Sequence, residues 1–247
     1  MLSFMDDNWI GTAIPSVAVN VSSADAAGTV KVVRECNDFL AGLVRDRPDR
    51  FGGFGLLPLP FVQESVSEID RVLDDLGLDG VLLSTNYMGT YLGDPAFDAV
   101  FEALEHRGAL VFVHPTASPD AVAHTLSIPD FVIDYVADTT RAIARLQYTN
   151  TFARTPSVRY IFSHAGGTLP FIVQRFDLLD ATQVVPGREI RGKARDQFRR
   201  LNFDAALAYQ KPVLSLTSDV IGTTQLVFGS DRPYSMDMAA GAATAIN

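Results

Sequence analysis

The sequence predicts an α/β fold of the (β/α)8 barrel type, organised as one domain over residues 1–247. Short apolar runs rich in β-branched residues alternate with longer stretches of helical spacing, and this alternation is typical of a parallel sheet with helical crossovers. Polar or ionisable residues follow several different predicted strands, rather than one glycine-rich turn that could hold a phosphate group. That distribution favours a barrel over a doubly wound sheet.

The predicted strands are short runs of apolar and β-branched residues that end at glycine, proline or polar residues. Seven can be recognised, in the ranges 12–21, 51–57, 80–83, 109–113, 159–162, 201–205 and 226–228. Pro15 lies within the first range, which places it near a strand end because proline has no N–H to donate. A complete barrel has eight strands, one more than the sequence shows.

The predicted helices have apolar residues three or four positions apart. They cover the ranges 24–46, 63–76, 94–107, 130–153, 169–180 and 206–221, the last interrupted near Pro212. Proline or glycine follows closely after each of the first three, and Asp94-Pro95, a capping residue with a first-turn proline, begins the third. Residues 120–128 are predicted as a loop and 236–247 as the stub of a helix or a tail.

Composition disfavours several classes of protein. The 20 basic and 29 acidic residues give a net charge of −9, and because the basic residues are scattered we expect no nucleic-acid partner. No apolar run approaches the roughly 18 residues of a membrane span, and Asp6 and Asp7 do not fit a secretory signal peptide. Cys36 is the only cysteine, which suits a reducing compartment. We therefore expect a cytoplasmic protein with no membrane association.

Three of the predicted strands are each followed by an ionisable residue. His114 follows the fourth strand, His164 the fifth and Asp231 the seventh. In a parallel barrel the carboxyl ends of the strands meet at one face, where active sites are found. We therefore expect these three side chains to share one pocket, although they are far apart in the sequence.

Imidazole and carboxylate groups can serve two kinds of chemistry. They bind zinc, iron or manganese, although two or three ligands make a poor site for zinc, which takes three or four from the protein. The same groups can act as general acid and base without a metal, and the residue types leave both possibilities open. The third strand ends in a polar cluster in which Asn86 and Tyr87 are candidates for contacting a substrate.

Motifs spread over nearly the whole chain keep the order and spacing of a known family. They are Val113-His114-Pro115, Ser163-His164-Ala165-Gly166-Gly167 and Phe228-Gly229-Ser230-Asp231-Arg232-Pro233-Tyr234, supported by Arg47-Pro48-Asp49-Arg50-Phe51, Asn86-Tyr87 and Gly93-Asp94-Pro95. On these residues the chain resembles the amidohydrolase-related proteins that include aminocarboxymuconate-semialdehyde, γ-resorcylate and 6-methylsalicylate decarboxylases. It is closest to the 6-methylsalicylate decarboxylase branch.

The resemblance implies a metal-dependent barrel enzyme that removes CO₂ non-oxidatively from a small aromatic hydroxy acid, and that assembles as a homo-oligomer of two or four subunits. His114 and Asp231 would bind the divalent ion, zinc or alternatively manganese, and His164 and Asp231 would be catalytic. In the family the remaining ligands come from a His-x-His or Glu-x-His motif on the first barrel strand, which this sequence does not show. We therefore expect a barrel without its first strand and part of its last helix, and a weakened metal site.

Two alternative functions stay open. On the same barrel an activated water could attack a lactone, ester or amide, which would make the protein a metal-dependent hydrolase. Alternatively, the chain is a truncated and catalytically impaired paralogue that retains the fold. Release of CO₂ from a hydroxybenzoate would favour the decarboxylase, and cleavage of a lactone would favour the hydrolase. A vacant metal site without turnover would favour the paralogue.

Overall fold

The structure is a computed structural model that describes residues 1–18, 21, 25–119, 127–183, 185 and 189–234. Its main sheet has six parallel strands in sequential order: β1 (Phe54–Leu56), β2 (Gly80–Ser84), β5 (Leu110–His114), β6 (Arg159–Phe162), β7 (Asn202–Asp204) and β8 (Leu226–Val227). A separate antiparallel pair consists of β3 (Asn86–Tyr87) and β4 (Thr90–Tyr91). Parallel strands in sequential order, with helices between them, confirm the predicted α/β fold of the barrel type.

Helices connect the strands and cover the outside of the sheet. They are α1 (Leu2–Asp7), α2 (Ala26–Asp46), α3 (Val62–Asp70), α4 (Asp98–Arg107), α5 (Asp134–Tyr148), α6 (Thr151–Arg154), α7 (Leu169–Thr182), α8 (Ala194–Phe198) and α9 (Lys211–Ile221). A π-helical turn (Arg71–Asp75) extends α3, and a 3-10 turn (Pro95–Phe97) precedes α4. Across these described ranges, no helix is both long and apolar enough to cross a lipid bilayer.

The prediction of a continuous first strand was wrong for the described part of 12–21. This segment makes only two isolated parallel bridges, which join Ala13 to Phe51 and Ser16 to Phe54 at the β1 edge of the sheet. The backbone N–H of Phe54 donates to the carbonyl oxygen of Pro15 at 3.1 Å, but Pro15 has no N–H to donate in return. The segment therefore borders β1 without forming a regular ladder.

Two predicted helices also differ from the observed ones. The range 130–153 is divided into a 3-10 turn (Asp130–Val132), α5 and α6, with Asn150 in the left-handed conformation at φ 60° before α6. The helix predicted over 206–221 begins only at Lys211, because Pro212 fits the first turn of a helix but not its interior. The predicted tail 236–247 and all but two residues of the predicted loop 120–128 lie outside the described residues.

Alternation along the strands separates the two faces of the sheet. Val111 and Val113 of β5 are fully buried in the large cluster that also contains helical residues such as Phe101 and Ile143. Phe112 faces the opposite side. His114 lies two residues beyond Phe112 and therefore shares its face, with 6.3 Å between the two ring centroids. The pleat of β5 thus directs His114 away from the helical layer.

Candidate active site

His114 is the last residue of β5, and its ring is held by the chain that follows it. Its Nδ1 atom is 3.0 Å from the carbonyl oxygen of Pro115. A carbonyl oxygen only accepts hydrogen bonds, so Nδ1 carries the proton and Nε2 keeps a free lone pair. The local backbone therefore selects the tautomer that can bind a metal ion or accept a proton through Nε2.

His164 lies in the turn after β6, where four consecutive residues have positive φ values. These values are 55° at His164, 54° at Ala165, 75° at Gly166 and 69° at Gly167. The backbone N–H of His164 donates to Oδ1 of Asp204 at 2.9 Å, which stabilises the strained turn. The imidazole is buried, with 8% of its side chain exposed.

Asp231 follows β8 and brings a carboxylate to His164. Its φ is 50°, so it also lies in the left-handed region that non-glycine residues rarely adopt. One carboxylate oxygen, Oδ1, is 4.0 Å from Nε2 of His164. The rings of His114 and His164 are 5.6 Å apart between centroids, at an interplanar angle of 68°. The structure therefore brings together the three residues that the sequence places after three different strands.

Burial determines the charge of His114. The pKa of the imidazole is lowered to about 4, first by burial and then by the neighbouring His164, while Asp231 and the hydrogen bond to Pro115 oppose the shift. His114 is therefore neutral at physiological pH. The neutral imidazole is the form that binds a metal ion, so no proton has to be displaced from this side chain.

The three side chains fit a divalent metal ion. Each offers one nitrogen or oxygen donor, and the three donor atoms lie within 4.8 Å of one another. Within the described part of the chain, Nδ1 of His164 is buried without a hydrogen-bond partner. Two imidazoles and a carboxylate form a donor set that suits zinc or manganese. Three protein ligands also leave a position for substrate or water, as in catalytic metal sites.

Comparison with known proteins identifies the family. An amidohydrolase family model matches residues 7–242. The chain belongs to the amidohydrolase family. Decarboxylase yanB from Aspergillus niger is 34% identical to it in an alignment of 254 positions, gaps included, that covers 94% of this chain and 67% of the relative. The 6-methylsalicylic acid decarboxylase acuB from Aspergillus aculeatus is 32% identical over 222 residues, which cover 86% of this chain and 66% of the relative. The amidohydrolase chain thus spans about two thirds of the length of these relatives.

Solved structures share the fold of this amidohydrolase. The 5-carboxyvanillate decarboxylase LigW from Sphingomonas paucimobilis matches with a TM-score of 0.90 at 25% identity, over 99% of this chain and 78% of that one. A dihydroxybenzoic acid decarboxylase from Polaromonas, solved with bound manganese, matches with a TM-score of 0.88 at 24% identity, over 98% of this chain and 77% of that one. The second likeness is one of fold alone.

Asn86 and Tyr87 of this amidohydrolase follow the carboxyl end of β2, with their polar atoms bonded to the protein. The Asn86 amide nitrogen donates to Asp138 at 2.9 Å and to the Thr116 carbonyl at 2.8 Å, and its oxygen accepts from the N–H of Gly89. The Tyr87 hydroxyl accepts from the backbone N–H of Ser84 at 3.0 Å, and burial raises the pKa of this hydroxyl to about 12. Substrate contact by these two residues stays a prediction. Tyr87 is buried in the same cluster as the helical residues, with its ring edge-on to that of Phe97.

The sequence reading missed two buried carboxylates in this amidohydrolase. Asp204, at the end of β7, accepts hydrogen bonds from the backbone N–H groups of His164 and Ala206, and burial raises the pKa of its carboxyl. The sequence contained a signal for Asp204, because this residue, like His114 and His164, is an ionisable residue near the end of an apolar predicted strand. Asp138 lies inside α5 with 1% exposure. Its signal was a carboxylate at an apolar position of the helix, four and eight residues before Ala142 and Leu146.

Proposed function

We propose that this chain is a metal-dependent carboxy-lyase that removes CO₂ from a small aromatic hydroxy acid of the salicylate type. The observation that carries this proposal is the convergence of His114, His164 and Asp231 at the carboxyl ends of β5, β6 and β8. The relatives named as decarboxylases, one of them a 6-methylsalicylic acid decarboxylase, support the choice of reaction.

In this proposal His114 and Asp231 hold a divalent cation, with zinc preferred over manganese. When bound, the cation would supply positive charge for the carboxylate and phenolate oxygens of an ortho-hydroxy acid. His114 contributes a neutral nitrogen donor, because burial holds its pKa at about 4. Asp231 has two oxygens, so one can face the cation while the other faces the substrate ring.

The reaction needs one proton at the ring carbon that carries the carboxylate. In the proposal Asp231 delivers this proton, the bond from the ring to the carboxylate breaks, and the electrons of that bond restore the aromatic ring as CO₂ leaves. His164 lies 4.0 Å from Asp231 and can hold the carboxylate that remains. Because His164 is buried, its interaction with this charge is screened less than it would be in water. Such proton transfer by a positioned side chain contributes roughly 10²–10⁴-fold to a rate.

Incubation of the purified protein, loaded with Zn²⁺ or Mn²⁺, with a panel of ortho-hydroxybenzoates in D₂O tests the proposed function. We expect release of CO₂ and a phenol carrying one deuterium at the carbon that lost the carboxylate. Asp231→Asn should reduce the rate by about 10²-fold or more, because the proton donor is removed. The matched control Asp219→Asn changes an exposed aspartate on α9 and should keep the wild-type rate.

Two results would contradict the proposed function. The first is an absence of CO₂ from every hydroxybenzoate while a lactone, ester or amide is cleaved, which would make the protein a hydrolase. The second is a rate for Asp231→Asn equal to that of Asp219→Asn. Elemental analysis of the purified protein identifies the metal, and manganese in place of zinc would correct the cofactor but leave the reaction class unchanged.

A further inference from the structure

The wall beside His114 contains a buried carboxylate that binds no substrate group in the proposed function. Asp138 of α5 has 1% of its side chain exposed and accepts hydrogen bonds from the Thr85 hydroxyl, the Asn86 amide and the Tyr91 hydroxyl. A guanidinium nitrogen of Arg141 lies 3.7 Å from Oδ1 of Asp138, and the Arg141 side chain is 56% exposed. Burying a carboxylate is costly, and the three donors that converge on Asp138 compensate this cost.

Thr85 connects Asp138 to the chain that follows His114. Its hydroxyl has a single hydrogen, which it donates to Oδ2 of Asp138. The lone pairs of the same oxygen remain available, and they accept the backbone N–H of Thr116 at 3.1 Å. Asn86 completes the arrangement, because its amide bonds both Asp138 and the carbonyl of Thr116. Asp138 thus fixes the direction of the Thr85 hydroxyl, and Thr85 holds the N–H of Thr116.

The N–H of Thr116 and the carbonyl of Pro115 belong to one peptide unit, which is planar. When Thr85 holds this N–H, it also fixes the direction of the Pro115 carbonyl. That carbonyl accepts from Nδ1 of His114 at 3.0 Å and so selects the tautomer with a free Nε2. The Thr85 backbone N–H also donates to the carbonyl of His114 at 3.1 Å, which ties the two strand ends together.

We infer that Asp138 is a positioning residue that sets the tautomer of His114 through Thr85 and the Pro115–Thr116 peptide. The inference concerns the site of the proposed function and rests on it for its biological meaning. Hydrogen-bond partners that fix the tautomer of a metal-binding histidine typically change metal affinity by about 10–100-fold when they are removed. Asp138 would therefore act on the reaction without touching the substrate.

Nitrogen-15 NMR of the metal-free protein tests this inference without metal, substrate or turnover. Long-range proton–nitrogen spectra distinguish the two neutral tautomers of a histidine, and His114→Gln assigns the His114 signals among the four histidines. We expect wild-type His114 to be in the Nδ1–H form alone. In Thr85→Val, which keeps the shape of the side chain but removes the hydroxyl, the Nε2–H form should appear. Asp138→Ala should change the tautomer in the same direction.

Matched variants separate positioning from general stability. Thr85→Ser keeps the hydroxyl and should restore the wild-type spectrum. Thr217→Val makes the same chemical change at a fully buried threonine of α9, whose hydroxyl donates to Val213 within its own helix. Glu68→Ala removes another carboxylate with 1% exposure, which is bonded to Arg34 and Asn37 of α2 and to Arg71 of the π-helical turn after α3. Both controls should keep the pure Nδ1–H form even where they lower the stability of the protein.

The outcomes decide between two roles for Asp138. In the first, called the relay, Asp138 acts on His114 through Thr85 and the Pro115–Thr116 peptide; in the second, its carboxylate is only structural. A pure Nδ1–H signal in folded Thr85→Val would overturn the relay, and a pure signal in folded Asp138→Ala would remove Asp138 from it. The two variants test the relay separately, so loss of folding in one leaves the other decisive. A Zn²⁺ competition assay provides a second measurement, in which Thr85→Val should bind about 10–100-fold more weakly than Thr217→Val. If the wild type binds no metal, the proposed function fails while the tautomer result stands.

Discussion

At the scale of single residues, the site places two side chains in unfavourable backbone conformations. His164 and Asp231 have φ values of 55° and 50°, where a residue with a Cβ atom costs about 1–2 kcal/mol. Such strain persists only where the surrounding structure enforces it, and it concentrates at functional sites. Here the enforcing contact at His164 is the hydrogen bond from its N–H to Asp204. The strain at these two residues and the convergence of donors therefore occur in the same pocket.

The half-buried imidazole of His114 predicts a particular dependence of stability on pH. Its pKa is lowered from 6.5 to about 4 in the folded state, so the unfolded chain binds the proton more readily. The contribution of neutral His114 to the free energy of unfolding is fully present above about pH 6.5 and is lost as the pH falls towards 4. Between pH 6.5 and 4, the metal-free wild type should lose unfolding free energy because His114 resists protonation in the folded state. His114→Gln removes this effect, so the variant should lose up to about 3 kcal/mol less than the wild type.

Urea unfolding at a series of pH values measures this effect. The control is His106→Gln, which alters an exposed histidine of α4 and should leave the pH dependence unchanged. If His114→Gln and the wild type lose the same free energy of unfolding between pH 6.5 and 4, the neutral state of the folded His114 side chain is contradicted.

At the scale of elements, the turn between β6 and α7 depends on close approach to α5. Gly167 has φ 69° and ψ −125°, a region that only glycine readily adopts. A Cβ atom at this position would lie 2.0 Å from the carbonyl oxygen of Val136. The Gly-Gly pair after His164, which the sequence shows as a strand terminator, therefore has a second purpose. The absence of a side chain at Gly167 lets α5, which carries Asp138, pack against the turn that contains His164.

Gly167→Ala should consequently destabilise the protein more than glycine conformation alone explains. We expect a loss of more than about 2 kcal/mol of unfolding free energy, because backbone strain and a steric clash add. Gly77→Ala is the matched control. Gly77 also has a positive φ, 64°, but no atom lies within 4 Å of a Cβ placed there, so about 1 kcal/mol is expected. Equal losses in the two variants, measured by chemical denaturation, would show that the contact with α5 is unimportant.

Several elements could be predicted because their signals are local. The β-branched run before His164 and the cap formed by Asp94 and Pro95 act within a few residues of the chain, and both occur as predicted. The division of 130–153 into two helices could not be predicted, because it depends on Asn150 adopting the left-handed conformation. That residue is held by contacts with 189–191, about forty positions further along the chain.

At the scale of the whole molecule, the fold does one thing for function: it brings strand ends together. The order of the main sheet places β5 beside β6, β6 beside β7 and β7 beside β8, so His114, His164, Asp204 and Asp231 occur on successive strand ends. The pattern of strand followed by ionisable residue therefore predicted the centre of the site. It could not predict Asp138, because that residue reaches the site from a helix through Thr85.

The central claim is that His114 and Asp231, with His164 beside them, form one metal-binding site. The most direct test is calorimetric titration of the metal-free protein with Zn²⁺, together with His114→Gln, Asp231→Asn and the exposed controls His106→Gln and Asp219→Asn. The account predicts a single site per chain whose affinity falls in both site variants and is unchanged in both controls. Equal affinity in all five proteins, or no binding by the wild type, would contradict it.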